Sequence, residues 1–247
     1  MIEEKIKLKI KENNKISFSE YMEIVLFDKE FGFYENGKIL GEDGHFITSP
    51  LISKYFSHCI ARNFIKVFED EKLDNIVEIG AGNAELSKNL ILYLKNKKYL
   101  PKKYYFLDKS LHLINKQKEI ISKLNLEETI DFIWVDKYED LPNEAFIITN
   151  ELFDCIPTDI IRYKNNCYKK AYIDESINIV WEDFDFNSDK YIHSLSLPKN
   201  LPNNYIFELS KGQKDTINQI NQIMNKAFFL IFDYGYSANE LYINDRN

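Results

Sequence analysis

Cysteine is scarce in this chain of 247 residues, and its three occurrences exclude more than they offer. Cys59, Cys155 and Cys167 are odd in number and show no Cys-x-x-Cys spacing. That argues against a disulfide framework and a zinc site, and for a reducing compartment. The four histidines are scattered without ligand spacing, so no metal is expected. No apolar run approaches the roughly 20 residues that span a bilayer, and the amino terminus is too charged for a secretory signal. The expectation is a soluble, cytoplasmic protein with no membrane insertion. A block of positive charge is missing too: net charge is −7, with lysines and acids interspersed. Nucleic-acid binding therefore has no electrostatic support. Internal repeats and low-complexity linkers are also absent from the sequence.

What is plentiful is apolar: 45% of residues are hydrophobic and 15% aromatic, enough for one sizeable core in one large or two small domains. The chain is organised around Ile76-Val-Glu-Ile-Gly-Ala-Gly-Asn-Ala-Glu-Leu86. Asn75 to Ile79 is short, β-branched and apolar, and reads as a buried strand. Gly80-Ala81-Gly82 is a turn where backbone can approach a ligand, because glycine has no Cβ. A helix follows, with Leu86, Leu90 and Leu94 on one face. Strand, turn and helix place free N–H groups beside a nucleotide-like ligand, or else form a purely structural turn.

Two cofactor classes use that geometry. A dinucleotide fold wants a third glycine where Glu85 stands, and a carboxylate there would face a pyrophosphate. Glu78 instead suits a ligand with a cationic amino-acid end, and Glu-x-Gly-x-Gly is typical of S-adenosylmethionine (SAM) sites.

The flanking chain supports a layered α/β fold. Ser17 or Ser19 can cap a helix from Phe18 with Tyr21, Met22, Val25 and Leu26 inward. After the polar loop Gly41 to Pro50, a helix carries Tyr55, Phe56, Ile60, Phe64 and Val67, expected in the core. Lys103–Leu107, Thr129–Val135 and Ala145–Thr149 read as strands ended by Asp108, Asp136 and Asn150-Glu151. Between the first two lies a helix from Ser110 to Leu124, with Leu113, Ile114, Ile120, Ile121 and Leu124 inward. Strands alternating with amphipathic helices give a doubly wound parallel sheet with its ligand at the carboxyl ends of the strands. Asp108 stands where such a site puts its ribose carboxylate, and Asp136 can accept from an adenine amino group; either can equally cap a helix. Ile160 to Phe186 turns β-like and aromatic, an insertion able to cover the site. Ser210 to Asn225 is a helix with Ile217, Ile220 and Met224 on its apolar side, and Phe228 to Phe232 is a fifth strand.

Read together, the motifs resemble the SAM-dependent methyltransferases of the MidA type, relatives of the mitochondrial complex I assembly arginine methyltransferase. The resemblance covers nearly the whole chain. It rests on Tyr21-Met22, Phe46-Ile-Thr48-Ser49-Pro50 with Ile52-Ser53, Glu78-Ile-Gly-Ala-Gly82, Asp108-Lys-Ser110 with Gln117, Asn150-Glu-Leu-Phe-Asp154-Cys-Ile-Pro157, and Asp233-Tyr-Gly-Tyr236 followed by Glu240, Tyr242 and Arg246. It departs at His45 for Asp, Leu51 for Glu, Ala84 for a third glycine, and Asp108 for Glu.

The resemblance implies a Rossmann-like class I methyltransferase sheet from residue 73 to 247, with an insertion at about 158–206 and its last strands missing. It implies an amino-terminal helical and loop region, 1–72, covering the site. The cofactor implied is SAM, held by Glu78, Gly80, Ala81, Gly82, Asp108, Ser110 and Asp136, with Thr48, Ser49 and Pro50 of the amino-terminal segment. Asn150, Glu151 and Asp154 are the implied catalytic residues, with paired carboxylates suited to a planar guanidinium. The implied activity is arginine methylation of a protein, by family analogy a respiratory-complex subunit. Small-molecule methylation and a non-catalytic SAM-binding assembly factor are the alternatives.

Overall fold

The structure, a computed structural model, describes residues 1–35, 53–192 and 195–241. Expectations on His45, Thr48, Ser49, Pro50, Leu51, Tyr242 and Arg246 lie outside the described residues.

In chain order the elements are α1 (Ile2–Asn13), β1 (Ile16–Ser17), α2 (Phe18–Phe27), α3 (Lys54–Glu71), β2 (Asn75–Ile79), α4 (Glu85–Lys97), β3 (Lys103–Leu107), α5 (Leu111–Ser122), β4 (Asp131–Val135), β5 (Glu144–Asn150), β6 (Asp159–Lys164), β7 (Cys167–Ile173), β8 (Ile179–Asp183), β9 (Tyr205–Leu209), α6 (Lys211–Ile223) and β10 (Lys226–Phe232). Short 3-10 turns lie at Phe33–Glu35, Tyr138–Asp140 and Phe153–Cys155. The described residues form two compact units, and α6 runs across the division at Thr216–Ile217. No helix among the described residues is long and apolar enough to cross a membrane.

One unit comprises Phe33–Asp154 and Ile217–Asp233. Its sheet has the order β10-β5-β2-β3-β4, every neighbouring pair parallel. Parallel strands must be covered on both faces, and the sequence supplies both covers. One face carries Ile76, Phe106, Phe146 and Ile148 beneath Ile60 and Phe64 of α3 and Leu86, Leu90, Ile91 and Leu94 of α4. The other carries Val77, Ile79, Tyr105 and Ile147 beneath Ile220 and Met224 at the end of α6 and after it. Each fully buried Leu, Ile or Phe contributes about 1.5–3 kcal/mol by leaving water.

Expected and observed elements agree closely here, with one correction on burial. Tyr55 is 69% exposed: it lies in the first turn of α3, and its ring meets His58 rather than the core. Phe64, two turns on, is fully buried against Phe146. Thr129 does not open β4; its N–H closes a turn on Leu126 and pairing starts at Asp131.

The other unit comprises Met1–Gly32, Cys155–Thr216 and the residues from Tyr234. Its sheet is antiparallel, order β1-β7-β6-β9, with β8 paired to β7. Asn165 and Asn166 turn β6 into β7 with φ of 50° and 61°, the conformation that two-residue hairpins favour. Ser17 caps α2 and Glu20 returns the bond to the Ser17 N–H, a reciprocal capping box. None of the α2 side chains is buried; Phe18, Tyr21, Ile24 and Val25 pack half-buried beside Ile6, Ile10, Ile16 and Ile173. Asp159 ties three elements together, accepting from Ser19 Oγ at 2.8 Å and Lys170 Nζ at 2.7 Å.

Candidate functional site

The chain lays down β2, β3 and β4 outward in one direction, then returns to place β5 on the far side of β2. Strand order reverses between β2 and β5, the point where doubly wound sheets open a crevice at their carboxyl ends. Gly80 follows β2 directly. Its φ is +74°, and its N–H donates to the Leu107 carbonyl at the end of β3, 2.9 Å away. A Cβ at Gly80 would stand 2.8 Å from Leu152 Cδ1, so the turn also presses against the segment after β5. Gly82 has φ +54° and Ala84 φ +61°. Ala84, in the place of a third glycine, thus keeps a glycine's backbone.

Asp108 follows β3. Its Oδ1 accepts the Ser110 N–H at 3.1 Å and its Oδ2 accepts Gln117 Nε2 at 2.8 Å. Burial raises its pKa above the ordinary carboxylate value and the Glu35 charge adds to the rise; the N–H groups of Ser110 and Lys109 and the Gln117 amide oppose it. Asp108 is not the cap of α5. Ser110 is: its Oγ accepts the Leu113 N–H at 3.1 Å and donates to the Tyr34 carbonyl at 2.8 Å. Glu35 accepts the N–H groups of Leu111 and His112 at 3.0 and 3.1 Å, a carboxylate at a helix amino terminus where the dipole favours it. The 3-10 turn Phe33–Glu35 is thereby fastened beside Asp108.

Glu78 is placed differently from its expected ligand-facing position. It points to the α3–α4 face of the sheet, 3% exposed, and its Oε2 accepts Ser87 Oγ at 2.6 Å and Tyr104 OH at 2.5 Å. Burial pushes its carboxyl up to about 7, against the two hydroxyls, and the Asp108 charge adds to the rise. Its hydrogen bonds join β2 to α4 and to β3. Ala81 is buried, and its carbonyl accepts the Ala84 N–H at 2.9 Å to close the turn.

Asn150 ends β5, in register with Phe232. Glu151 is half-buried with φ +52°, and its N–H donates to the Phe232 carbonyl at 2.8 Å. The Phe153 N–H donates to Asp233 Oδ2 at 2.7 Å. The segment after β5 is thus held from both sides, by Gly80 through Leu152 and by the end of β10. Asp154 is exposed in the 3-10 turn, and Asp136 is exposed beyond β4.

A family model for S-adenosyl-L-methionine-dependent methyltransferases matches residues 59–247. The chain belongs to that family. SAM is accordingly its cofactor. Among similar proteins, the mitochondrial protein arginine methyltransferase NDUFAF7 of Bos taurus is 28% identical over 193 residues, 67% of this chain and 43% of that one. Its Caenorhabditis elegans homolog is 23% identical over 267 residues, 94% of this chain and 61% of that one. The chain spans about half the length of the curated relatives it matches. In fold it is similar to a Burkholderia thailandensis protein solved bound to S-adenosyl-homocysteine, with TM-score 0.84 and 23% identity, covering 99% of this chain and 65% of that one.

The residues present fit that cofactor. A glycine turn whose first residue has positive φ and would press a Cβ against the Leu152 side chain lies one backbone hydrogen bond from the end of β3, where Asp108 follows. Ser110 reaches Asp108 Oδ1 and Gln117 reaches Oδ2, with the Lys109 N–H a third donor to the carboxylate; of about four acceptor positions this leaves room for a ribose hydroxyl. Among the described residues no group of three or more His, Cys, Asp or Glu can hold a metal. In the sequence Gln117 and Leu152 stand out only as members of matched segments, and Ser87, Tyr104 and Glu35 do not stand out at all. Their contacts come from register and packing, which a single sequence does not signal.

Proposed function

We propose that the protein is a SAM-dependent methyltransferase whose acceptor is a protein arginine. The observation carrying this reading is the convergence of Gly80–Gly82, Asp108 and the Asn150–Asp154 segment at the strand reversal of one parallel sheet. SAM, when bound, supplies a methyl group made electrophilic by its sulfonium. Asp108 holds the ribose hydroxyls, and the turn at Gly80 brings backbone against the ligand without a side chain between them. Glu151 and Asp154 bind the guanidinium, a planar cation that carboxylates engage bidentately. The nucleophile must lie in line with the methyl, and the Glu151 carboxylate takes the proton that the attacking nitrogen releases. The names of the relatives support the arginine acceptor, and the acidic character of the segment after β5 suits it.

The test is transfer from methyl-labelled SAM into a cell lysate by the wild type and by Glu151→Gln. Label in protein bands that is released as methylated arginine, and lost in the variant, supports the reading. Label confined to small solutes would move the acceptor to another class, and no transfer despite SAM binding would make the protein a non-catalytic SAM-binding factor.

A further inference from the structure

Gln117 is fully buried in α5 and joins three elements. Its Nε2 donates to the Gly82 carbonyl at 3.0 Å and to Asp108 Oδ2 at 2.8 Å; its Oε1 accepts the Trp134 indole N–H at 3.1 Å. An indole N–H can only donate, so the atom facing it must be the amide oxygen. That fixes the amide orientation chemically and turns both N–H bonds of the –NH2 toward Gly82 and Asp108. Trp134 is in turn stacked on Phe106, 4.8 Å away at 9°.

The consequence for the crevice follows from peptide geometry. In a trans peptide the carbonyl and the next N–H point in opposite directions. Holding the Gly82 carbonyl therefore aims the Asn83 N–H away from Gln117. At a glycine with φ +54°, rotation of that peptide is otherwise little opposed. The same amide fixes the plane of the Asp108 carboxylate through Oδ2.

We infer that Gln117 is a positioning residue that couples the glycine turn to the ribose carboxylate, and that Trp134 sets its orientation. The inference rests on the proposed reading that SAM occupies this crevice. A ligand spanning both ends then depends on Gln117 more than a ligand reaching only the Asp108 end. The experiment is calorimetric titration of S-adenosyl-homocysteine and adenosine into the wild type, Gln117→Leu, Asp108→Asn, the double variant and Trp134→Phe, with thermal midpoints recorded for each.

Gln117→Leu is expected to weaken S-adenosyl-homocysteine on the order of 10- to 50-fold and adenosine less than about 5-fold. The Asp108→Asn effect shrinks in the Gln117→Leu background, as neighbours in one hydrogen-bond network are non-additive. The acid limb of S-adenosyl-homocysteine affinity also moves to higher pH in Gln117→Leu, because a donor to the Asp108 carboxylate is gone. Trp134→Phe keeps an aromatic side chain beside Phe106 but removes the pyrrole ring together with the orienting N–H; it gives the same pattern at smaller amplitude, its thermal midpoint reporting the lost packing. Equal losses for both ligands, additive effects and an unmoved acid limb would overturn the inference while leaving the site reading intact. A wild type that binds no S-adenosyl-homocysteine would overturn the site reading and this inference with it.

Discussion

Replacing Glu78 by glutamine separates the fold's pH dependence from its packing. In the folded protein burial holds the Glu78 carboxyl at about 7, against an ordinary value of 4.5. The folded state therefore keeps a proton that the unfolded chain releases. Below about pH 4.5 both states are protonated and the stability is complete. As pH rises from 4.5 toward 7, folding must take up a proton, so stability falls, and above 7 the loss is complete. The interval from 4.5 to about 7, at about 1.36 kcal/mol per pH unit, amounts to about 3 kcal/mol. Tyr104 does not share the burden, since burial and the Glu78 charge drive its own pKa well above the ordinary tyrosine value. Glutamine offers the same shape and an oxygen able to accept from both Ser87 and Tyr104, without the charge. Urea unfolding followed by tryptophan fluorescence from pH 4.5 to 8 gives the free energy of each protein. The stability of Glu78→Gln minus that of the wild type is expected to grow by about 3 kcal/mol across that range. A difference that stays constant with pH would refute the reasoning, since it would place Glu78 in a solvated site.

Packing makes a paired prediction at α3. Phe64→Ala should cost about 3–5 kcal/mol in chemical unfolding, since the ring is fully buried against Phe146, whereas Tyr55→Ser at an exposed position should change stability by less than about 0.5 kcal/mol. Gly80→Ala should cost about 1–2 kcal/mol from the left-handed backbone alone, and adding Leu152→Ala should restore part of any further loss, because the new Cβ would meet the Leu152 side chain. Ile231 is 45% exposed on β10, which among the described strands pairs only with β5. A lysine there should lower self-association by light scattering at unchanged thermal midpoint, as charge on a sheet edge opposes strand addition.

The sequence made some of this legible and hid the rest for identifiable reasons. β2, β3 and β5 could be read because strands buried on both faces are continuous apolar runs, and β3 falls on the expected residues. Asp108 follows β3 as expected, because the apolar run of that strand stops at Leu107. Glu78 could not be oriented from its motif: alternation along β2 sends it to the same face as Ile76 and toward Ser87, a contact nine residues away that no local pattern encodes. β1 and β9 escaped notice since one is two residues long and the other alternates exposed Ile206 and Glu208 with buried neighbours in a proline-flanked segment. Helical spacing alone puts Tyr55 inside, but spacing fixes the face of a helix and not how far the neighbouring layer extends over its first turn.

The proposed function rests on the glycine turn and Asp108 forming one adenosyl-binding crevice. Calorimetric titration of S-adenosyl-homocysteine into the wild type and Asp108→Asn is the decisive experiment, with thermal midpoints as the control for folding. Single-site binding by the wild type and a loss of at least about tenfold in Asp108→Asn are expected, as for a charged acceptor removed from ribose hydroxyls, measured at a temperature where both proteins are folded. Equal affinity in the two proteins, or no binding by a folded wild type, would contradict that proposal.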